Sequence, residues 1–374
     1  MNLKCLLVSV DEKNVRILRR VLSDLEIIVD HCDTPDAAIR KLTRLRFESI
    51  VVDCSIPEEG ASILRAAKAA PANNRAIGIV LVDPALGMRG GFDMGAHFVL
   101  HKPLSSERAK ASFRAVRALM KRERRRQLRV PVQIPVECRA FGSAINYKAI
   151  TLDLCEGGMA IQFPGRVPKD NALRFSLDLP GIDLRFEIEG ELAWEGHRDQ
   201  AGVRFKSISE EQLQTLRQWL NGQLPETEPD DPPVSCTLTD LSLGGCYLRT
   251  ISPLPHGTRV VLSMKTAELA LRASGVVRIV HPEFGMGVEF LQSTGQQHDQ
   301  VHHLIETLLA SGEKSPELLV EPESLETAQP GENSAQALPA TEDALLHLFR
   351  HKSRIPLDTF LEQMREQRQL LQTH

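Results

Sequence analysis

The sequence has no CxxC pair, no apolar run near the eighteen residues that cross a bilayer, and no third metal ligand to accompany its helical His pair. Each absence closes a class of function. The seven cysteines (Cys5, Cys32, Cys54, Cys138, Cys155, Cys236 and Cys246) are odd in number and scattered, which excludes a disulfide framework and predicts reduced, mostly buried thiols. The N-terminal CLLVSV is cut short by Asp11, too early for a secretory signal, so a cytoplasmic chain without membrane insertion is expected. His298 and His302 stand four apart, a spacing that can hold zinc, but without a third ligand they read as a packed or solvated pair, and no metal is expected there.

What is present is length and segmental charge. The 374 residues suggest two or three domains, and 42% hydrophobic content fills that many cores. The net charge of -4 hides local extremes, since residues 121–129 (KRERRRQLR) carry six bases against one acid while residues 225–233 (PETEPDDPP) are acidic and proline-rich. The basic run has no aromatic stacking platform beside it, and nucleic acid is not an expected partner.

From Leu6 to about Met120, short apolar runs alternate with helical patterns: LLV, IIV, SIVVD, IGIVLVD and FVLHK, with Thr34-Pro35 and SSER (105–108) opening helices. That rhythm predicts a doubly wound α/β domain of five units over residues 1–120. After the basic run the period changes to two. Val130, Val132, Ile134 and Val136 alternate, as do Leu173 to Leu179 and Leu184 to Trp194, which predicts an antiparallel barrel or sandwich over residues 121–222. Pro131 and Pro135 place its first strand at an edge. Ser209 and Gln212 read as a capping box for a closing helix carrying Leu213, Leu216 and Leu220.

Beyond an acidic linker (223–233) the plan repeats over residues 234–312. DLCEGG at 153–158 recurs as DLSLGG at 240–245, and GVRF at 202–205 as GVEF at 287–290, followed by a helix with Val301, Leu304, Ile305 and Leu308. A register held across a whole domain predicts duplication. Residues 313–341, rich in Glu, Pro, Ser and Ala, read as a disordered tether, and residues 342–374 as a helical segment with Leu357, Phe360, Leu361 and Met364 on one side, suited to a protein groove.

In DLCEGG, Asp153 can accept hydrogen bonds, and Gly157 and Gly158 permit a positive-φ turn and close backbone approach; alone this is a tight turn. Arg125 and Arg129 lie four apart just upstream. Each guanidinium can pair bidentately with phosphate or with the O6/N7 edge of guanine, and a carboxylate complements guanine's N1–H and N2–H donors. Two arginines and one Asp match a guanine nucleotide better than a sugar or a lipid.

The RxxxR of Arg125 and Arg129, the DxCxxG of Asp153 to Gly158 and the later WEGHRDQAGVRF resemble the PilZ domain, a β-barrel receptor for the bacterial messenger cyclic di-GMP. The resemblance implies that Arg125 and Arg129 grip the ligand from a flexible segment while Asp153, Cys155 and Gly158 line the base pocket. Cys155 stands where the family usually has Ser, and the weaker thiol donor implies an affinity about tenfold lower. In the second copy Asp240, Ser242 and Gly245 restore the turn, but PDDPPVSCTLT precedes it, so no nucleotide is expected there. That copy is expected to pack against the first or to meet a partner.

The N-terminal segment resembles a response-regulator receiver of two-component signalling, with Asp53 as the phosphoacceptor, Asp11 after the first strand and Lys102 before Pro103. The acidic pair is reduced to Val10 and Asp11, and the switch hydroxyl is replaced by Val82. Mg2+ at Asp11 and Asp53 is therefore expected to be weak, and a docking receiver is favoured over a phosphorylated one. The whole reads as a non-enzymatic signalling protein with no cofactor. Two alternatives stay open: an interaction scaffold without nucleotide, whose receiver forms a homodimer, and output controlled by phosphorylation of Asp53. The downstream partner is not legible.

Overall fold

The computed structural model describes residues 3–53, 56–141, 145–168, 172–196, 199–223, 231–265, 270–291, 295–311, 317–325 and 356–371. The chain divides into two compact units, one of residues 124–229 and one that joins residues 1–123 with 230–374.

The N-terminal domain alternates β1 (Leu3–Ser9), α1 (Glu12–Asp24), β2 (Ile27–Cys32), α2 (Pro35–Arg44), β3 (Ser49–Asp53), α3 (Pro57–Ala69), β4 (Ile77–Val82), α4 (Gly87–Asp93), β5 (Phe98–His101) and α5 (Ser106–Gln127). The five strands are parallel in the order β2-β1-β3-β4-β5, the doubly wound receiver arrangement the sequence predicts. Buried on both faces, β3 and β4 are continuous apolar runs. Thr34 caps α2 through Ala37 N, with Pro35 at the first helical position. The basic run departs from expectation: α5 continues through it to Gln127, so Arg125 sits on a helix and not in a flexible segment. Nothing there breaks a helix, and arginines in the last turn complement its dipole.

Residues 124–229 hold β6 (Val130–Pro131), β7 (Pro135–Ala140), β8 (Asn146–Cys155), β9 (Gly158–Gln162), β10 (Ala172–Asp178), β11 (Arg185–Glu195), β12 (Gln200–Ser207) and α6 (Glu210–Gln223). Strands β8-β7-β10-β11-β12-β9 close on themselves through the β8–β9 pairing, and β6 lies outside the ring against β8. The expected edge strand is thus two strands: β6 is an edge, while β7 is paired on both sides, with Pro135 tolerated as its first residue. Thr151 joins them, its hydroxyl accepting from Ile134 N at 2.8 Å and donating to Val132 O at 2.6 Å. Ser209 caps α6 through Gln212 N, but the capping box is one-sided, because the Gln212 amide donates to Arg185 O instead of turning back.

The second barrel comprises β13 (Val234–Leu241), β14 (Gly245–Arg249), β15 (Thr258–Lys265), β16 (Ala270–His281), β17 (Gly285–Phe290), α7 (Gly295–Ser311) and β18 (Glu317–Leu325), closed in the order β13-β14-β17-β16-β15-β18. The duplication extends to irregularities. A bulge between Thr151 and Asp153 recurs between Leu238 and Asp240, and one between Leu192 and Trp194 recurs between Val277 and Ile279. Phe205 N donates to Gly157 O at 3.0 Å, and Phe290 N to Gly244 O at 2.9 Å.

The sixth strand breaks the repeat in chain order while keeping it in space. In the first barrel β7 precedes β8 and pairs with β8 and β10, whereas β18 follows α7 and pairs with the equivalent β13 and β15. Val136 faces Ala149 and Leu177, and Leu318 faces Cys236; Cys138 faces Tyr147 and Phe175, and Val320 faces Val234 and Leu262. The second barrel is a circular permutant of the first. The expected tether is corrected over Glu317–Leu325, where Leu318 and Val320 alternate into the barrel core despite the acidic composition around them. The rest of that tether, 313–316 and 326–341, lies outside the described residues.

The permuted barrel shares a continuous apolar core with the N-terminal domain, which includes Phe113 and Leu119 of α5 with Leu248 and Val288. Polar contacts from α5 reach both of the barrel's ends: Asp231 Oδ1 takes Arg117 Nη1 at 2.7 Å and Lys121 Nζ at 2.8 Å, and Glu123 Oε1 accepts from Leu325 N at 2.9 Å. The acidic stretch before the second turn is therefore used in part to dock the barrel on α5. A helix α8 (Leu357–Leu371) also belongs to this unit.

Val320 is fully buried in β18. Val320→Asp is expected to destabilise the second barrel by about 3 kcal/mol or more. Hydrogen exchange should show protection lost in β13 and β15. Unfolding followed by tryptophan fluorescence should not change, because Trp194 and Trp219 both lie in residues 124–229.

Candidate functional site

The first turn is built by the bulge that turns Asp153 outward from β8. Its Oδ1 accepts from Ala160 N at 3.1 Å and pairs with Arg129 Nη1 at 2.6 Å. Burial works to lower the Arg129 pKa, but the hydrogen bond to Asp153 and nearby negative charge hold it above its ordinary value. The two side chains remain 45% and 27% exposed, so the pair is worth about 1 kcal/mol at most to the fold and is free to exchange partners.

Gly158 and Gly157 differ in their reasons. A Cβ on Gly158 would lie 2.2 Å from Val203 O, so only glycine lets β9 approach β12, whereas one on Gly157 would meet nothing within 4 Å. Neither residue has positive φ, which corrects that part of the sequence reading: the turn is made by close approach. Cys155 Sγ is buried 3.2 Å from Gly158 O and closes the turn from within, as Ser242 Oγ does at 3.1 Å from Gly245 O. The neighbouring Glu156, not singled out in the sequence, lies 3.0 Å from Arg217 Nε and 3.5 Å from Arg126 Nε, tying the turn to α6 and α5.

The pairing register carries the site across four strands. Asp153 faces Ala160, Ala160 faces Gly202, and Gly202 faces Trp194. Strands lie about 4.8 Å apart, so the acid and the indole stand about 14 Å apart with only two small residues between them. Trp194 is 46% exposed, and its ring lies on Gly202, where a Cβ would fall 2.0 Å from Nε1. The result is a shallow floor walled by Arg129 and Asp153 on one side and an aromatic face on the other. In the sequence Trp194 stands out as the end of an alternating strand and as part of a motif, but not as a site residue; the signal was its spacing of eight from Gly202 across a hairpin. Of the five expected residues, Arg129, Asp153, Cys155 and Gly158 meet at this turn, and Arg125 stands half-buried on the last turn of α5.

In the second copy the same row runs Asp240, Tyr247, Gly287, Ile279. Tyr247 fills the place of Ala160, and Ile279 that of Trp194. Asp240 Oδ1 accepts from Leu241 N at 2.9 Å.

At the receiver site, Asp53 ends β3 and is buried; its Oδ2 accepts from Ser9 Oγ at 2.8 Å and Asn14 Nδ2 at 3.0 Å, and its Oδ1 lies 2.7 Å from Lys102 Nζ. Burial works to lower the Lys102 pKa, but Asp53 and then Asp83, 3.2 Å away, hold it above the usual value. Asp11 is not beside Asp53's oxygens in the bonding network. It caps α1, accepting from Lys13 N at 2.8 Å and Asn14 N at 3.4 Å. Magnesium favours several oxygen ligands, yet Asp11 is committed to helix amides and Asp53 to three donors. No group of three His, Cys, Asp or Glu that could hold a metal stands among the described residues. The described carboxylates here are thus fewer than the ion favours, in keeping with the weak site expected. Val82, at the switch position, is fully buried in the core.

Residues 123–222 and 225–307 match the family model for the PilZ domain. The second match ends before β18, the strand that closes that barrel. Among solved structures, the receiver domain of a sensor histidine kinase of Pseudomonas aeruginosa is 25% identical, with 32% of this chain and 99% of that one covered at a TM-score of 0.29. The chemotaxis response regulator CheY4 of Vibrio cholerae is 20% identical over 31% and 99% of the two chains, with a TM-score of 0.29. The PilZ domain of CeSA from a cellulose-synthesizing bacterium is 19% identical over 26% and 97%, with a TM-score of 0.22. A search of curated protein sequences finds no match. Two consecutive PilZ-domain matches thus stand behind an N-terminal five-stranded doubly wound domain. No helix among the described residues is long and apolar enough to cross a membrane.

Gly158→Ala is expected to cost the first barrel about 3 kcal/mol. Gly157→Ala should stay within about 0.5 kcal/mol of the wild type. Urea unfolding monitored by tryptophan fluorescence measures both.

Proposed function

We propose that the chain is a non-catalytic bacterial signalling protein whose first barrel binds cyclic di-GMP at the floor between Asp153 and Trp194. The observation that carries this is the Arg129–Asp153 pair standing on that row of small residues. In the free protein each charged group occupies the place of a ligand group. Asp153 offers the acceptor that guanine N1–H and N2–H need, and Arg129 offers donors for phosphate or the O6/N7 edge. Trp194 supplies a stacking face. Arg125, four residues before Arg129 and on the last turn of α5, adds a second guanidinium. Cys155 and Gly158 shape the turn, so replacing the family's usual Ser by Cys alters little that the ligand meets.

Binding draws Arg129 from Asp153 and engages Arg125 on α5, the helix that joins the barrel to the receiver. A ligand that contacts this helix differently in two arrangements biases its orientation, which is how occupancy is relayed. The second barrel, with Tyr247 on the floor and no arginine arm, takes no nucleotide. The receiver acts by docking and not by phosphoryl transfer, because Asp53 is held by Lys102, Ser9 and Asn14 without a magnesium site.

Calorimetry with cyclic di-GMP should show binding to the wild type and none to Arg125→Ala or Arg129→Ala at unchanged circular dichroism. Trp194→Ala should bind about tenfold or more weakly, the worth of one stacked base. Equal affinity in the arginine variants would overturn the assignment. Intact-mass analysis after incubation with acetyl phosphate and magnesium should show no added phosphoryl group, and a stoichiometric adduct lost in Asp53→Asn would restore phosphorylation as the input.

A further inference from the structure

The face of the second barrel that corresponds to the nucleotide floor is not bare. Helix α8 lies on it, with Phe360 and Met364 buried against Tyr247 and Ile279, and Leu357 and Leu361 packed beside them. These four residues fall at i, i+3, i+4 and i+7, a single stripe of the kind that lies in a groove. Tyr247 Oη lies 2.8 Å from His281 Nδ1, and the Phe360 ring stands 5.1 Å from Tyr247 and 5.3 Å from His281 by ring centroids. The floor beneath Phe360 is thus a fixed aromatic pair.

The correspondence is positional. Tyr247 and Ile279 occupy, strand for strand, the row places of Ala160 and Trp194 in the first barrel. Three further observations make the helix a bound segment and not part of the barrel. The ring is closed without it, by β18. Its contacts form a separate small cluster, outside the core that runs through Leu248, Val277 and Val288. It reaches the barrel only after residues 326–355, from the far side of β18 in sequence. A segment held by four side chains opens with less cost than the strands beneath it.

We infer that the second barrel is a receptor for an amphipathic helix of pattern Leu-x-x-Phe-Leu-x-x-Met, which α8 occupies in cis at the place where the first barrel presents its nucleotide floor. The exchange of ligand class follows from two substitutions. A phenol in place of a methyl fills the hollow for a base and offers an aromatic surface for Phe360, and an isoleucine in place of an exposed indole extends that surface. Covalent attachment gives α8 an effective concentration on the order of millimolar, so a free helix competes only when α8 is released. The inference does not depend on nucleotide binding by the first barrel.

The test adds a fluorescein-labelled peptide of residues 356–371 to the full-length chain and follows anisotropy. Wild type should bind weakly, because its own helix holds the site, whereas Phe360→Asp should bind at least tenfold more tightly. Adding Tyr247→Asp to that variant should remove the gain. Equal peptide binding by wild type and Phe360→Asp, or a gain that survives Tyr247→Asp, would overturn the inference. Hydrogen exchange on the wild type covers the case in which a variant misfolds: α8 amides should exchange at least tenfold faster than those of β14 and β16. Protection equal to those strands would make α8 a permanent part of the barrel and sink the proposal.

Discussion

Each barrel depends on closing a six-membered ring of strands, and the source of the sixth strand determines what else the barrel can carry. An unclosed ring would expose the free edges of two strands to water or to other chains. The first barrel takes β7 from upstream, so the chain must enter past β6 and the turn, and this entry delivers Arg129 onto Asp153. The second takes β18 from downstream. Among the described residues, no strand before β13 passes its turn, and the sequence at 225–233 carries no base. The turn itself stands in both copies, because it is built within β8–β9 and β13–β14 and not by the sixth strand.

The permutation also sets how the second barrel is anchored. Its two ends, Asp231 before β13 and Leu325 at the end of β18, both meet α5, through Arg117, Lys121 and Glu123. Buried ion pairs of this kind cost more to break than they contribute to stability, so they fix geometry. The same helix carries Arg125 four residues beyond Lys121. Helix α5 therefore runs past residue 123, where the chain divides into its two units.

Much of this was legible in the sequence where a pattern is local. The five β/α units follow from apolar runs and caps such as Thr34-Pro35, and the duplication follows from the recurring turn and GVxF. Asp153 and Gly158 are legible in one short turn motif and Arg129 in the basic run upstream, and the structure joins the two through the Arg129–Asp153 pair. Trp194 is adjacent to Asp153 only through three strand pairings, and such adjacency depends on register, which bulges at Asp153 and Trp194 shift by a residue each. Strand β18 was concealed for a different reason. Glu321 and Glu323 stay partly exposed on a half-buried strand, so composition reads as tether while Leu318 and Val320 alternate inward. Composition averages over the two faces that a strand separates.

The two rows, Asp153-Ala160-Gly202-Trp194 and Asp240-Tyr247-Gly287-Ile279, show how little sequence separates the proposed nucleotide surface from the surface that α8 covers. The acid and the glycine are common to both rows, and the acid follows the same bulge in each. The two variable places decide the ligand. A small floor beside an exposed indole leaves room for a planar base and rewards stacking, with charge supplied from outside the barrel by the entry segment. A filled floor leaves no hollow, and with no charge delivered, the remaining favourable interaction is apolar burial, which an amphipathic helix provides and a doubly charged nucleotide cannot. In the second barrel Tyr247 and Ile279 make an apolar surface, and α8 covers it with Phe360 and Met364.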